Sequence, residues 1–201
     1  MPRTADHDER RRQVAEALLR TIARKGLAAT TFADVADELG SSVGLVQRYF
    51  RSKSDLLRFG VEHLYQRGAE RIDAVERVAP VRHHMFRIAH TLLPLEERRR
   101  ELTVWLEFLP TAVRDPEMAE LHGTTTRTLV EGLAEGFEAA QRLGELSSDL
   151  DPRAEAAALV ALADGLTLHQ LATPDLFDDA TAERVLRRHF DRLFAATTEN
   201  T

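Results

Sequence analysis

The 201-residue sequence contains no cysteine. Disulfides and thiolate-held metals are therefore excluded, and a reducing compartment is permitted. It also lacks a long apolar run: charge interrupts every apolar stretch before the roughly 18–20 residues needed to span a bilayer, so no membrane association is expected. The opening residues Met1 to Asp8 contain no apolar signal core, and a cytoplasmic location is the expectation. The histidines His83, His84, His90 and His122 form no HExxH pattern or other compact grouping. They are read as solvated or hydrogen-bonded, and neither metal nor cofactor is expected. No local arrangement assigns a nucleophile, a base and an oxyanion donor, so there are no catalytic candidates and the chain does not read as an enzyme.

What is present describes a globular chain, with 43 % apolar and 30 % charged residues. Its length suffices to bury a real core. The net charge of −6 is unevenly divided: residues 1–60 carry +3 and residues 61–201 carry −9. An N-terminal module facing a polyanion fits this division, because phosphate contact depends on local rather than total charge.

From Asp8 to Lys25, apolar residues recur at Val14, Ala15, Ala17, Leu18, Ile22 and Ala23, the stripe of a helix with one buried face. Gly26 stops it, after two cations suited to a helix C-terminus. Thr31 can cap a short second helix through Leu39, with Asp34 at the capping-box offset. Gly40 ends that helix, and Ser41 or Ser42 can cap a third running to Phe50. Two short helices across a tight glycine turn form a helix-turn-helix, whose second helix enters the major groove. On that helix Val46 and Phe50 lie four apart and can pack against Val35, Ala36 and Leu39, leaving Val43, Gln47 and Arg48 outward. Gln47 can bond adenine, Arg48 guanine, and Val43 or Leu45 can touch a thymine methyl, while Gly44 permits close approach. A polar start at Ser52, Lys53, Ser54 and Asp55 opens a fourth helix where Lys53 can meet phosphate, as can Arg10, Arg11 and Arg12.

The span from Arg12 to Leu57 resembles the N-terminal DNA-binding domain of TetR-family regulators. The resemblance is carried by Ala15, Leu18, Gly26, Thr30, Thr31, Val35, Ala36, Leu39, Gly40, Ser42, Gly44, Tyr49, Phe50, Lys53, Leu56 and Leu57. Val43 to Lys53 looks like the betaine-regulator (BetI-like) branch. Two positions depart: Gln47 stands where the family commonly has a phosphate-contacting tyrosine, and Ser41 where it often has valine. The resemblance implies an all-α fold of about nine helices, with a helix-turn-helix domain over residues 1–52 and a helical regulatory and dimerisation domain over residues 53–201. It further implies a homodimer on a near-palindromic operator, acting as a repressor that a small-molecule effector releases; a constitutive regulator or an activator is the alternative. The DNA-binding set is then Arg12, Thr31, Ser42, Val43, Gly44, Leu45, Gln47, Arg48, Tyr49 and Lys53.

Beyond Leu57 the fourth helix is expected to continue to about Val78, with Ala79-Pro80 as its break. A shorter helix ends at Pro94, a segment over 96–113 is bent or ended by Pro110, and a long helix runs from Pro116 to Leu143. The resemblance puts an effector cavity among these helices. Met85, Phe86, Trp105, Phe108, His122 and Phe137 are candidate lining, although apolar pockets and cores draw on the same residues. Two apolar helices follow Pro152 and Asp179. Each can bury one face internally and another against a partner subunit. In the resembled family they form a four-helix dimer seam, for which Ala158, Leu162, Gly165, Leu166, Leu186, Phe190 and Leu193 are the candidates.

Overall fold

The computed structural model describes residues 2–95 and 98–195, with side chains from His7 onward. Among the described residues there are nine α-helices and no strand: α1 Pro2–Lys25, α2 Phe32–Leu39, α3 Val43–Tyr49, α4 Lys53–Asp73, α5 Val81–His90, α6 Arg99–Ala112, α7 Pro116–Arg142, α8 Pro152–Ala172 and α9 Asp179–Ala195. No helix among them is long and apolar enough to cross a membrane. Two compact units result, one from Met1–Gly68 with Arg99–His122, the other from Ala69–Arg98 with Gly123–Thr201.

The first unit is built on the predicted stripe of α1. Val14, Ala17, Leu18 and Ile22 are buried in one core with residues of α2, α3, α4 and α6, and Ala15 is buried as well. Gly26 ends the helix at φ +81° while its N–H still bonds the Ile22 carbonyl at 2.8 Å. That left-handed conformation suits glycine because no Cβ opposes it. Glu107 of α6 receives the Leu27 N–H at 3.1 Å, so a segment eighty residues later holds the turn after α1.

The fourth helix stops at Asp73, five residues short of the expected Val78. The Val75 N–H turns to the Ile72 carbonyl, and Asp73, Ala74, Glu76 and Arg77 are exposed. With four of the five residues 73–77 facing water, packing contributes little to a further turn. In α6 the helix passes through Pro110 to Ala112.

In the second unit, α5 ends at His90 rather than Pro94 and begins after Pro80, which supplies no side-chain acceptor. Glu145 takes that place by accepting the N–H groups of Val81 and Arg82, each at 3.1 Å. Asp151 caps α8, with Pro152 opening the first turn. The core gathers Met85, Ala89, Leu133, Phe137, Leu159, Leu186, Phe190 and their neighbours from α5, α7, α8 and α9.

Candidate nucleic-acid interface

The reading helix is set by local bonds. Thr31 accepts the Asp34 N–H while Asp34 accepts the Thr31 N–H, so the capping box closes although aspartate replaces the usual glutamate. The Lys25 ammonium, 2.7 Å from Asp34, and then the Thr31 bonds hold this carboxyl well below its usual range. Gly40 leaves α2 at φ +66° with its N–H bonded to Ala36 and Asp37 carbonyls. Ser42 then caps α3 by accepting the Leu45 N–H at 3.3 Å. Arg20 bridges to Glu38 at 2.8 Å and tethers α2 to α1 from outside.

Across this turn α3 divides as its periodicity predicted. Val46 and Phe50 are fully buried, whereas Val43, Gly44, Gln47 and Arg48 are exposed and Leu45 is half-buried. A Cβ built on Gly44 would meet only the Ser42 hydroxyl oxygen, 4.0 Å away. No neighbour in the chain therefore requires the missing side chain. Tyr49 is half-buried with its ring against His7, centroids 4.9 Å apart.

The cations around α3 have distinct surroundings. Lys53 is exposed, yet its ammonium donates to the carbonyls of Leu27 at 3.1 Å and Ala28 at 3.4 Å. An ammonium has three donors, so one remains for a phosphate. Arg12 is exposed and paired with Glu9 at 2.9 Å, and Arg10 donates to Gln13. Arg11 is turned inward instead, its guanidinium 5.0 Å from the Phe50 ring centroid and 4.2 Å from that of Phe59. A further cation was not singled out from sequence: Arg51 is exposed, between Arg48 and Lys53 in the chain, while its backbone N–H is held by Asp55 at 3.2 Å. Its position two residues beyond the reading helix was the available signal. Thr31 and Ser42 are exposed caps whose hydroxyls already accept helix N–H groups.

The remaining candidates separate. Trp105, Phe108 and His122 belong to the first unit, where the Tyr65 hydroxyl lies 2.7 Å from His122 Nδ1 and burial pulls the imidazole below its ordinary pKa. Met85, Phe86 and Phe137 belong to the second unit, with Met85 and Phe137 in its core. Of the seven dimer candidates, Leu166, Leu186, Phe190 and Leu193 are already buried within the chain. Ala158 is exposed and Leu162 and Gly165 are half-buried, on a face of α8 that also exposes Ala154, Ala157, Ala161 and Leu168. Asp164 interrupts this face, its carboxyl pushed up to about 6 by desolvation.

Known proteins resemble the chain over its whole length. Residues 15–58 match the family model described as bacterial regulatory proteins, tetR family, and residues 81–195 match that of the BetI-type transcriptional repressor, C-terminal. The HTH-type transcriptional regulator PksA of Bacillus subtilis is 28 % identical over 204 residues, covering 100 % of this chain and 98 % of its own. The HTH-type transcriptional regulator BetI of Paraburkholderia xenovorans is 30 % identical over 205 residues, covering 98 % and 99 %. Among solved structures, a transcriptional regulator of Rhodococcus sp. Rha1 superposes with a TM-score of 0.83 at 28 % identity, over 92 % of this chain and 96 % of that one. A transcriptional regulator of Saccharomonospora viridis in complex with choline gives 0.81 at 26 % identity, over 92 % and 95 %.

Proposed function

Since the chain belongs to the TetR family of bacterial regulatory proteins and carries its BetI-type C-terminal region, a transcriptional regulator with a DNA-binding domain, we propose that it acts as a homodimeric repressor which a small molecule releases from a near-palindromic operator. One observation carries this reading. The side of α3 that anchors the head is fully buried at Val46 and Phe50, and the opposite side offers Val43, Gln47 and Arg48 to solvent. An amide, a guanidinium and a methyl-bearing side chain, spaced along one face of a capped helix, are the groups that read base edges in a major groove. Arg51, Lys53 and Arg12 supply cations beside that face for phosphates, which fix register without reading sequence. Acting on DNA, the protein works in the cytoplasm.

Dimerisation is supported by the composition of α8. Its buried side includes Ala156, Leu159, Val160 and Ala163, while its exposed side carries Ala154, Ala158, Ala161 and Leu168. A helix with apolar residues on two opposite sides is one that ends up covered on both. A second copy related by two-fold symmetry covers it with the same surface. Two heads then address two half-sites. An effector releases the dimer only by preferring the DNA-incompetent state, and moving a population from 99:1 to 1:99 takes about 5.5 kcal/mol of preference. The choline complex of the Saccharomonospora relative supports a small-molecule ligand for this chain.

Selection of genomic DNA with the purified protein tests the proposal. A near-palindromic sequence should emerge, and Arg48→Ala should relax discrimination at one position of it. Lys53→Ala should weaken every sequence alike and flatten the salt dependence. No enriched sequence, or uniform loss from Arg48→Ala, removes the base-reading role; a reporter that falls when the gene is deleted removes repression.

A further inference from the structure

Within the second unit, the C-terminal end of α4 and the outer side of α5 flank an open cleft of about 400 Å³. Arg71, Ala74 and Val75 line one side, and Phe86, Arg87 and His90 the other. We propose that this cleft binds a small carboxylate with an apolar or aromatic body, and that such an acid is the effector class of the regulator; the second half of the statement rests on the effector-released reading above.

The chemistry of the lining carries the inference. Two guanidiniums stand among the described lining residues and no acidic side chain does. A guanidinium presents its N–H donors in a planar fork that matches carboxylate geometry. Arg87 lies 3.8 Å from Glu76, whose side chain is 79 % exposed. A pair so long and so wet is weak, and a ligand carboxylate can take its place. Ala74, Val75 and the ring of Phe86 supply the apolar body of the site. That ring is fixed from behind by an edge-on contact with Phe190, centroids 5.4 Å apart. The volume falls within the roughly 300–1,000 Å³ of small-molecule sites.

The same residues argue against a quaternary ammonium here. Such a cation is held over open aromatic faces. Phe86 already has the Arg187 guanidinium 4.9 Å from its ring centroid, and the two lining arginines repel positive charge. In this cleft the chain therefore differs from what a choline site requires.

Titration calorimetry of the full-length protein with three probes decides the matter: 4-phenylbutyrate, its neutral counterpart 4-phenylbutanol, and choline. The acid should bind at least about tenfold more tightly than the alcohol or choline, the gain expected of one charge-assisted pair. Arg87→Gln should bring the acid down to the alcohol's level, and Arg87→Lys should restore part of the difference. Equal binding of acid and alcohol, tighter binding of choline, no heat from the acid, or an acid preference untouched by Arg87→Gln each overturns the cleft. Operator titration of the same wild-type preparation separates the two readings: DNA binding without acid binding sinks the cleft alone, whereas absence of DNA binding sinks the regulator.

Discussion

Helix α3 and helix α8 each expose a face that the chain leaves uncovered, and the two faces are opposite in kind. On α3 the outward groups are the amide of Gln47, the guanidinium of Arg48 and the bare backbone of Gly44, over an inner side of Val46 and Phe50. On α8 the outward groups are the methyls of Ala154, Ala158 and Ala161 and the side chain of Leu168, over an inner side equally apolar. A polar face gives up little by staying in water and gains specificity from a polar partner. An apolar face is driven toward any surface that removes it from water. On the function proposed above, the two helices separate the two associations of a regulator: reversible, salt-sensitive reading by the first and a durable subunit contact by the second.

The sharpest way to break this comparison is to exchange inside for outside on α3. Phe50→Ala should destabilise the first unit by about 3–5 kcal/mol, read as a lowered urea midpoint. Gln47→Ala, three residues away on the exposed side, should stay within about 0.5 kcal/mol of the parent. Similar losses from both would mean that α3 has no free face. On α8 the corresponding change is Ala161→Glu, which sets two like charges across the two-fold contact while keeping a good helix former. Association should weaken by on the order of 2 kcal/mol, about thirtyfold, in sedimentation equilibrium. A dimer that withstands it does not use this face.

Much of the head was legible because its determinants are local. Thr31 with Asp34, Gly40, Ser42 and the Val46–Phe50 spacing all act over three or four residues, and each took the expected place. What escaped depends on partners far along the chain. Nothing near Lys53 announces that its ammonium reaches the Leu27 and Ala28 carbonyls, and nothing near Arg11 announces Phe59 beneath it. The body was less readable for a related reason. On α8 both sides are largely apolar, and periodicity cannot say which one faces the core; on α9 the apolar residues form a single stripe, which the chain itself buries. Four of the seven residues assigned to the subunit contact are accordingly internal. The six pocket candidates were chosen for bulk and aromatic character, which carry no tertiary address, and they divide between two units.

Gly44 offers a finer test, because stability and binding should move in opposite directions there. The position is helical and open, with no atom of the chain in the way of a Cβ. Gly44→Ala should therefore stabilise the protein by roughly 0.5–1 kcal/mol. If the exposed backbone is where DNA approaches, operator affinity should fall at the same time in a fluorescence titration. A variant that is both more stable and an equal or better binder would show that the groove does not come close to this residue.

The last test is read as a pH dependence and concerns Asp164, a carboxylate set in the apolar face of α8. Desolvation raises Asp164 from an ordinary value of 3.8 to about 6. Between about pH 4 and 6 the folded protein thus holds a proton that the unfolded chain has released, so the contribution of this group to stability falls as pH rises through that window. It stays lost above it. Asp164→Asn removes the ionisation, and its gain over the parent should be present at pH 7.5 and nearly absent at pH 4.5, in urea melts at matched protein concentration. A subunit contact over this face strips further water from the carboxylate, so the gain at pH 7.5 should grow as protein concentration rises and dimer replaces monomer. A gain that ignores pH would deny the raised carboxyl, and one that follows pH but ignores concentration would leave Asp164 outside the subunit contact, separating the apolar face of α8 from the role that its composition argues for.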